Sequence, residues 1–207
     1  MADGLGHFVG VVRVEWVRGA EHDHNMRLLA DFAFVDPGGK TWLAKEDYQT
    51  DGASIPRAFW TLVGGPFEGQ YREAAVIHDQ YCDLKTETWQ ATHRVFYDGM
   101  LASGVSEELA KTLYAGVMLG GLRWGPEALA ALSRAATGTL IDAVKIRPDA
   151  VGRPTKVREV TKAEAEVVHE WVRANNPTPA QIDSHVLTHF PETRPILDGS
   201  VGVERRE

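Results

Sequence analysis

The chain has 207 residues, 43% of them hydrophobic and 25% charged, and is long enough to fold around a sizeable core. Its net charge of -7 argues against a broad basic face for nucleic acid, so no nucleic-acid partner is predicted. The single cysteine, Cys82, excludes an intramolecular disulfide.

The sequence contains no run of about 18 apolar residues, and therefore predicts no transmembrane segment. The N-terminus, MADGLGHFVGVVRVEW, has no basic start followed by an unbroken apolar stretch, so no signal peptide is predicted. We therefore expect the protein to stay in the cytoplasm of the cell that makes it, which it would leave only by lysis or within a particle.

Residues 8–60 have the pattern of β-structure. FVGVVRVEWV alternates from Val9 to Val17, MRLLADFAFV is a second strand candidate, and KTWLA is a third after the turn DPGG. These segments predict a small antiparallel sheet.

Residues 66–124 have a helical pattern. The first helix is FEGQYREAAVIHDQYCDL, and the second is TETWQATHRVFYDGMLASG, with Thr86 or Thr88 as its N-cap. The third, VSEELAKTLYAGVMLGGLRWG, has Ser106 as its N-cap and is expected to end at Gly125-Pro126. Because the third helix is apolar on nearly all sides, we expect it to be buried.

The remaining residues, 126–207, are predicted to form a helical extension. Its helices are PEALAALSRAATGTLIDAV, TKAEAEVVHEWVRANN with a capping box of Thr161 and Glu164, and TPAQIDSHVLTHF. The last dozen residues are expected to be extended and mobile. The predicted fold is α+β, with a core domain over 1–125 and an extension over 126–207 that packs on the core, on itself or on a partner.

Two histidines are the candidate catalytic residues. Residues four apart share a helix face, which places Cys82 one turn from His78. His93 lies on the apolar stripe of the next helix, with Trp89 and Phe96. A short link makes the two helices antiparallel, so we expect the two imidazoles to face each other.

Asp79 follows His78 and points about a quarter-turn away from it. An imidazole that titrates near neutral pH can act as a general base, and a carboxylate is a hard oxygen ligand for a cation. The preceding loop can add backbone carbonyls, the Asp51 carboxylate or the Ser54 hydroxyl. The alternative is that His78 is a hydrogen-bonded core histidine, which is the commoner role of a histidine on an apolar face.

The segment 50–60, TDGASIPRAFW, is predicted to be a shaping loop. Asp51 and Gly52 favour a turn, Ser54 can cap the next segment, and Pro56 fixes the start of that segment. The residues predicted to be structural are Thr50, Gly52, Ser54, Pro56 and Trp60.

Three stretches, TDGASIPRAFWTLVG, REAAVIHDQY and HRVFYDGM, resemble in order and spacing a family of phage and prophage proteins called domain of unknown function 1353. The resemblance spans roughly residues 28–125, and the Thr-Asp-Gly-Ala-Ser-Ile-Pro block is its most specific mark. It implies a protein associated with the virion or its tail. Other phage structural proteins would be its partners, contacted through the extension.

The stretch IHDQY also resembles the active-site helix of the phospholipase A2 superfamily. The resemblance makes His78 the base, Asp79 a Ca²⁺ ligand, and the loop around Asp51 and Ser54 a calcium loop. In that superfamily an Asp on the next helix orients the histidine, but His93 stands at that position here. A histidine supplies no fixed negative charge, so either His78 and His93 share a metal such as Zn²⁺, or the site is degraded.

Two further histidine groups are weaker metal candidates. His22-Asp23-His24 occupies a predicted loop, where such side chains are usually solvated. His185 and His189 are four residues apart on a short helix, but no third ligand is evident beside them.

The sequence therefore leaves two functions open. The first is a phage-encoded hydrolase with a phospholipase-A2-like centre, dependent on Ca²⁺ or Zn²⁺ and acting on an ester in lipid or envelope. The second is a non-catalytic structural or accessory phage protein that uses the same helices as scaffold.

Overall fold

The computed structural model describes residues 4–17, 26–50, 55–63, 69–124, 155–156 and 159–190. The helix predicted over 126–144, most of the connector after it and the terminal segment 191–207 lie outside these residues. Within them the fold is α+β, as predicted, with antiparallel sheets followed by helices.

Six short strands form two three-stranded antiparallel sheets, in the orders β1-β4-β5 and β2-β3-β6. Phe32, Phe34 and Trp42 of the first sheet are buried against Val76 and Ile77 of the helical region. The strands are β1 (His7–Val9), β2 (Val14–Trp16), β3 (Met26–Leu28), β4 (Phe32–Val35), β5 (Thr41–Ala44) and β6 (Gln49–Thr50).

The continuous strand predicted from Val9 to Val17 is wrong, because the chain leaves β1 at Gly10. Gly10 has a φ of 89°, a left-handed conformation that breaks a strand and suits glycine. β1 then pairs with β4, whereas β2 pairs with β3 in the other sheet. The second predicted strand is also divided, at Asp31, whose carboxylate accepts a hydrogen bond from the Glu46 backbone N–H at 2.9 Å.

Four helices follow: α1 (Arg57–Val63), α2 (Arg72–Leu84), α3 (Trp89–Ala102) and α4 (Glu107–Gly120). The β-pattern assigned to residues 8–60 missed α1, which is only seven residues long and follows Pro56. Thr88, one of the two predicted N-caps, accepts a hydrogen bond from the Ala91 backbone N–H. Ser106 caps α4 as predicted.

The third predicted helix ends five residues earlier than its Gly125-Pro126 stop signal suggested, at Gly120. Gly121 is extended, with φ of -75° and ψ of 172°, and leads into strand β7 (Leu122–Arg123). β7 pairs antiparallel with β8 (Thr155–Lys156). Strand pairing with a distant segment therefore decides where α4 stops.

Two helices of the C-terminal region, α5 (Lys162–Asn175) and α6 (Pro179–His189), contribute to the same apolar core as α1, α3 and α4. The predicted capping box of Thr161 and Glu164 opens α5. Tyr114 of α4 donates a hydrogen bond to the Asp183 carboxylate of α6 at 2.8 Å. The extension was expected to pack on the core, on itself or on a partner. Helices α5 and α6 pack on the core.

Replacing Val168 by alanine should therefore destabilise the whole fold. Val168 is fully buried, so its truncation removes apolar contacts and should cost about 1–3 kcal/mol in urea unfolding. Val167→Ala is the matched control, because Val167 lies on the same helix but is 60% exposed. Equal effects of the two substitutions would contradict the shared core.

Candidate functional site

Helices α2 and α3 pack side by side and bring the predicted histidines together. A side chain on Gly99 would have its Cβ only 3.0 Å from the Cβ of Ala74, so the two backbones approach closely at one end of the pair. His78 and His93 meet farther along. Because Ala74 precedes His78 while Gly99 follows His93, the helices run antiparallel, as their short link predicted.

The two imidazoles contact each other directly. Nε2 of His78 lies 2.9 Å from Nδ1 of His93, so the two nitrogens share one hydrogen. His78 is 1% exposed and His93 is fully buried. Phe96 packs on His78 with ring centroids 4.9 Å apart, and Trp89 lies edge-on to His93.

Cys82 is a third polar side chain at this contact. Its Sγ lies 3.6 Å from Nε2 and 3.9 Å from Nδ1 of His78, one helical turn away. Potential ligand atoms of His78, Cys82 and His93 all lie within 4.8 Å of one another. Sequence reasoning had placed Cys82 one turn from His78 but had given it no role, although the His-x-x-x-Cys spacing was the available signal.

Asp79 approaches the cluster from the side of β6. Its Oδ1 lies 3.6 Å from Nδ1 of His78, and its Oδ2 accepts a hydrogen bond from the Thr50 hydroxyl at 2.7 Å. Both residues are buried. Thr50, predicted to be a loop residue, therefore ends β6 and holds the carboxylate beside the histidine.

Burial disfavours the charged forms of His93 and Cys82. Desolvation, followed by the neighbouring His78 and Arg123, holds the pKa of His93 well below its usual value. Desolvation also raises the pKa of the Cys82 thiol well above its usual value, and the charges of Asp79 and Asp83 raise it further. Without a bound cation, His93 is therefore a neutral imidazole at neutral pH, and Cys82 is a protonated thiol.

The second nitrogen of His93 is buried beside Gly121. The Leu122 backbone carbonyl is near enough to favour the protonated imidazole, but Nε2 completes no hydrogen bond with the described residues. A Cβ on Gly121 would lie 3.0 Å from this nitrogen. Glycine at the end of α4 is thus what lets the imidazole fit against the backbone.

Arg123 is a buried cation next to the same ring system. Desolvation lowers the pKa of its guanidinium to about 10. The guanidinium carbon lies 4.4 Å from the ring centroid of Trp89 and one nitrogen donates to the Met118 carbonyl. The guanidinium remains charged at neutral pH and disfavours a second positive charge on His93.

The other predicted site residues either lie apart from this cluster or fall outside the described residues. Asp51, Gly52 and Ser54 fall in 51–54 and His22-Asp23-His24 in 18–25, both outside the described residues. Pro56 accepts a hydrogen bond from the Phe59 N–H at the start of α1, and Trp60 donates to the Ile55 carbonyl at 3.1 Å. Both contacts agree with a shaping role.

The rings of His185 and His189 lie 4.3 Å apart and are tilted by 42°, and Trp171 stacks on His185 at 3.7 Å. Within the described part of the chain, the group of three or more residues that could hold a metal is His78, Cys82 and His93.

No helix in that same part is both long and apolar enough to span a bilayer.

Residues 26–117 match the family model described as protein of unknown function (DUF1353). This match covers α2, α3 and most of α4, so the cluster lies within the family segment. The resemblance to domain of unknown function 1353 noted in the sequence is confirmed for this segment.

Two proteins of Sinorhizobium fredii (strain NBRC 101917 / NGR234) are similar to the same part of the chain. Uncharacterized protein y4iH is 52% identical over 98 residues, which is 47% of this chain and 41% of the relative. Uncharacterized protein y4jT is 48% identical over 97 residues, 47% of this chain and 29% of the relative. The chain thus spans less than half the length of the curated relatives it matches. No solved structure matches it.

Removing the Thr50 hydroxyl should destabilise the protein through Asp79. Thr50→Val leaves a buried carboxylate oxygen without this donor, which should cost about 1–3 kcal/mol in urea unfolding at pH 7. Thr50→Ser keeps the hydroxyl and should recover most of the loss. If the serine and valine variants unfold alike, the hydrogen bond is not what Thr50 contributes.

Proposed function

We propose that this chain is a non-catalytic structural or accessory protein of a phage or prophage, in which α2 and α3 serve as scaffold. The observation that carries the proposal is the surrounding of His78. Its Nε2 faces His93 at 2.9 Å, its Nδ1 faces Asp79 at 3.6 Å, and the side chain is 1% exposed.

A general base must reach the proton that it removes, directly or through one water. Both nitrogens of His78 instead face protein groups. Its Nε2 partner is a neutral imidazole at His93, which offers no fixed negative charge to stabilise an imidazolium. These contacts support a His-Asp pair that has been retained for packing.

The phage context of the proposal rests on the family resemblance of TDGASIPRAFWTLVG, REAAVIHDQY and HRVFYDGM. The partners we propose are other phage structural proteins, contacted through the 126–207 region, in the host cytoplasm during expression and then in the virion. α5 and α6 are compatible with this arrangement, because their apolar faces pack on the core and Val167 of α5 is 60% exposed.

One observation favours the hydrolase as the second candidate. Thr50, which precedes the Asp51 to Ser54 loop, donates to Asp79 at 2.7 Å. That loop therefore begins beside the carboxylate to which the phospholipase resemblance assigns Ca²⁺. The substrate of this candidate would be an ester in lipid or envelope, with Ca²⁺ or Zn²⁺ as cofactor.

A lipolysis assay separates the two candidates. The full chain is incubated with mixed phospholipid vesicles and Ca²⁺ or Zn²⁺, and released fatty acid is measured. We expect no release above the protein-free control, because His78 has no nitrogen directed at a substrate. Release that is lost in His78→Gln and Asp79→Asn, but kept in the matched variant His185→Gln, would establish the hydrolase instead.

Virion association is tested separately. A lysogen that carries the gene is induced, particles are purified by density gradient, and the protein is detected with an antibody. We expect it to sediment with intact particles. Its presence in the lysate but not in the particle fraction would contradict a virion role.

A further inference from the structure

The buried contact between α2 and α3 brings three metal-ligand side chains to one point. His78 and Cys82 lie one turn apart on α2, and His93 faces them from α3. All three are buried, and their potential ligand atoms lie within 4.8 Å of one another.

Two of the three distances between these donors are close to those of a tetrahedral zinc site, and the third, between Cys82 and His93, is within 4.8 Å. Bonds of about 2.0–2.1 Å to nitrogen and about 2.3 Å to sulfur give edges of about 3.3 Å between nitrogens and about 3.6 Å between nitrogen and sulfur. Sγ of Cys82 lies 3.6 Å from Nε2 of His78, which already matches. Nε2 of His78 and Nδ1 of His93 are 2.9 Å apart and need to separate by only a few tenths of an ångström.

The nitrogens that would not bind metal face groups that can orient the rings. With Nε2 of His78 as ligand, its Nδ1 faces the Asp79 carboxylate, which Thr50 holds in place. With Nδ1 of His93 as ligand, its Nε2 is on the side of the Leu122 carbonyl. Carboxylates and backbone carbonyls are the usual outer partners of metal-binding histidines.

We propose that His78 Nε2, Cys82 Sγ and His93 Nδ1 bind one Zn²⁺ ion that links α2 to α3. Nitrogen and sulfur donors suit zinc, whereas Ca²⁺ requires oxygen ligands, so the calcium alternative does not fit this donor set. On binding, the Cys82 thiol loses its proton to solvent as a Zn–S bond forms, and the hydrogen between the two imidazoles moves to a ring nitrogen that does not bind the metal. The fourth tetrahedral position is left for a water molecule.

This site goes beyond the proposed function and does not depend on it. Zinc here would join two helices at the centre of the family segment, whether or not the protein enters a virion. The alternative is a metal-free core in which the imidazoles share a hydrogen and the thiol acts as a small apolar group.

Metal content is the first test. Tag-free protein is produced in zinc-supplemented medium, desalted and analysed by elemental mass spectrometry. We expect about one zinc per chain for the wild type and for the His185→Gln/His189→Gln control, and below about a tenth for Cys82→Ala and His93→Gln. Circular dichroism establishes that each variant is folded.

The single cysteine supplies a second test that needs no variant. Co²⁺ added to metal-free wild-type protein should produce the near-ultraviolet thiolate-to-cobalt band together with tetrahedral d–d bands in the visible, and one equivalent of Zn²⁺ should remove them. Because the chain has one cysteine, that band can arise only from Cys82. Wild-type protein without zinc and without the band would overturn the proposal, as would full zinc content in a folded Cys82→Ala variant.

Discussion

The contact between His78 and His93 is the constraint on which the helical part of the structure depends. Two polar rings are buried in an apolar core, and each has to face the other because few other partners are within reach. Their 2.9 Å approach fixes the register of α2 against α3, while Ala74 against Gly99 sets how closely the two backbones pack. Burying a polar group is costly unless it is paired, so this register is strongly specified.

The same contact explains how the chemistry of the pair differs from that of a hydrolase. A carboxylate in place of His93 would hold His78 as a base and stabilise its charged form. An imidazole there supplies no fixed negative charge, and the two facing nitrogens share one hydrogen at 2.9 Å. With the Cys82 thiol beside them, the arrangement suits a soft divalent cation better than proton transfer.

Local signals predicted much of the fold. Ser106 and the capping box of Thr161 and Glu164 begin helices where the sequence placed them, because caps act within one turn. Spacing of three and four residues also predicted that His78 and His93 would face each other. The features that were missed depend on residues distant in the chain. The break at Gly10 separates strands that pair in two different sheets. Helix α4 ends before Leu122–Arg123, which pairs as a strand with Thr155–Lys156.

The sequence by itself determined the fold class, the starts of α3, α4, α5 and α6, and the helix faces that carry His78, Cys82 and His93, because periodicity and capping are local properties. Only the tertiary structure decided that Cys82 joins the two histidines, that Thr50 holds Asp79, and that the whole group is buried. Those relations arise where β6, α2, α3 and the end of α4 meet. Distances between such elements, and the desolvation that follows from their packing, cannot be obtained from spacing along one chain.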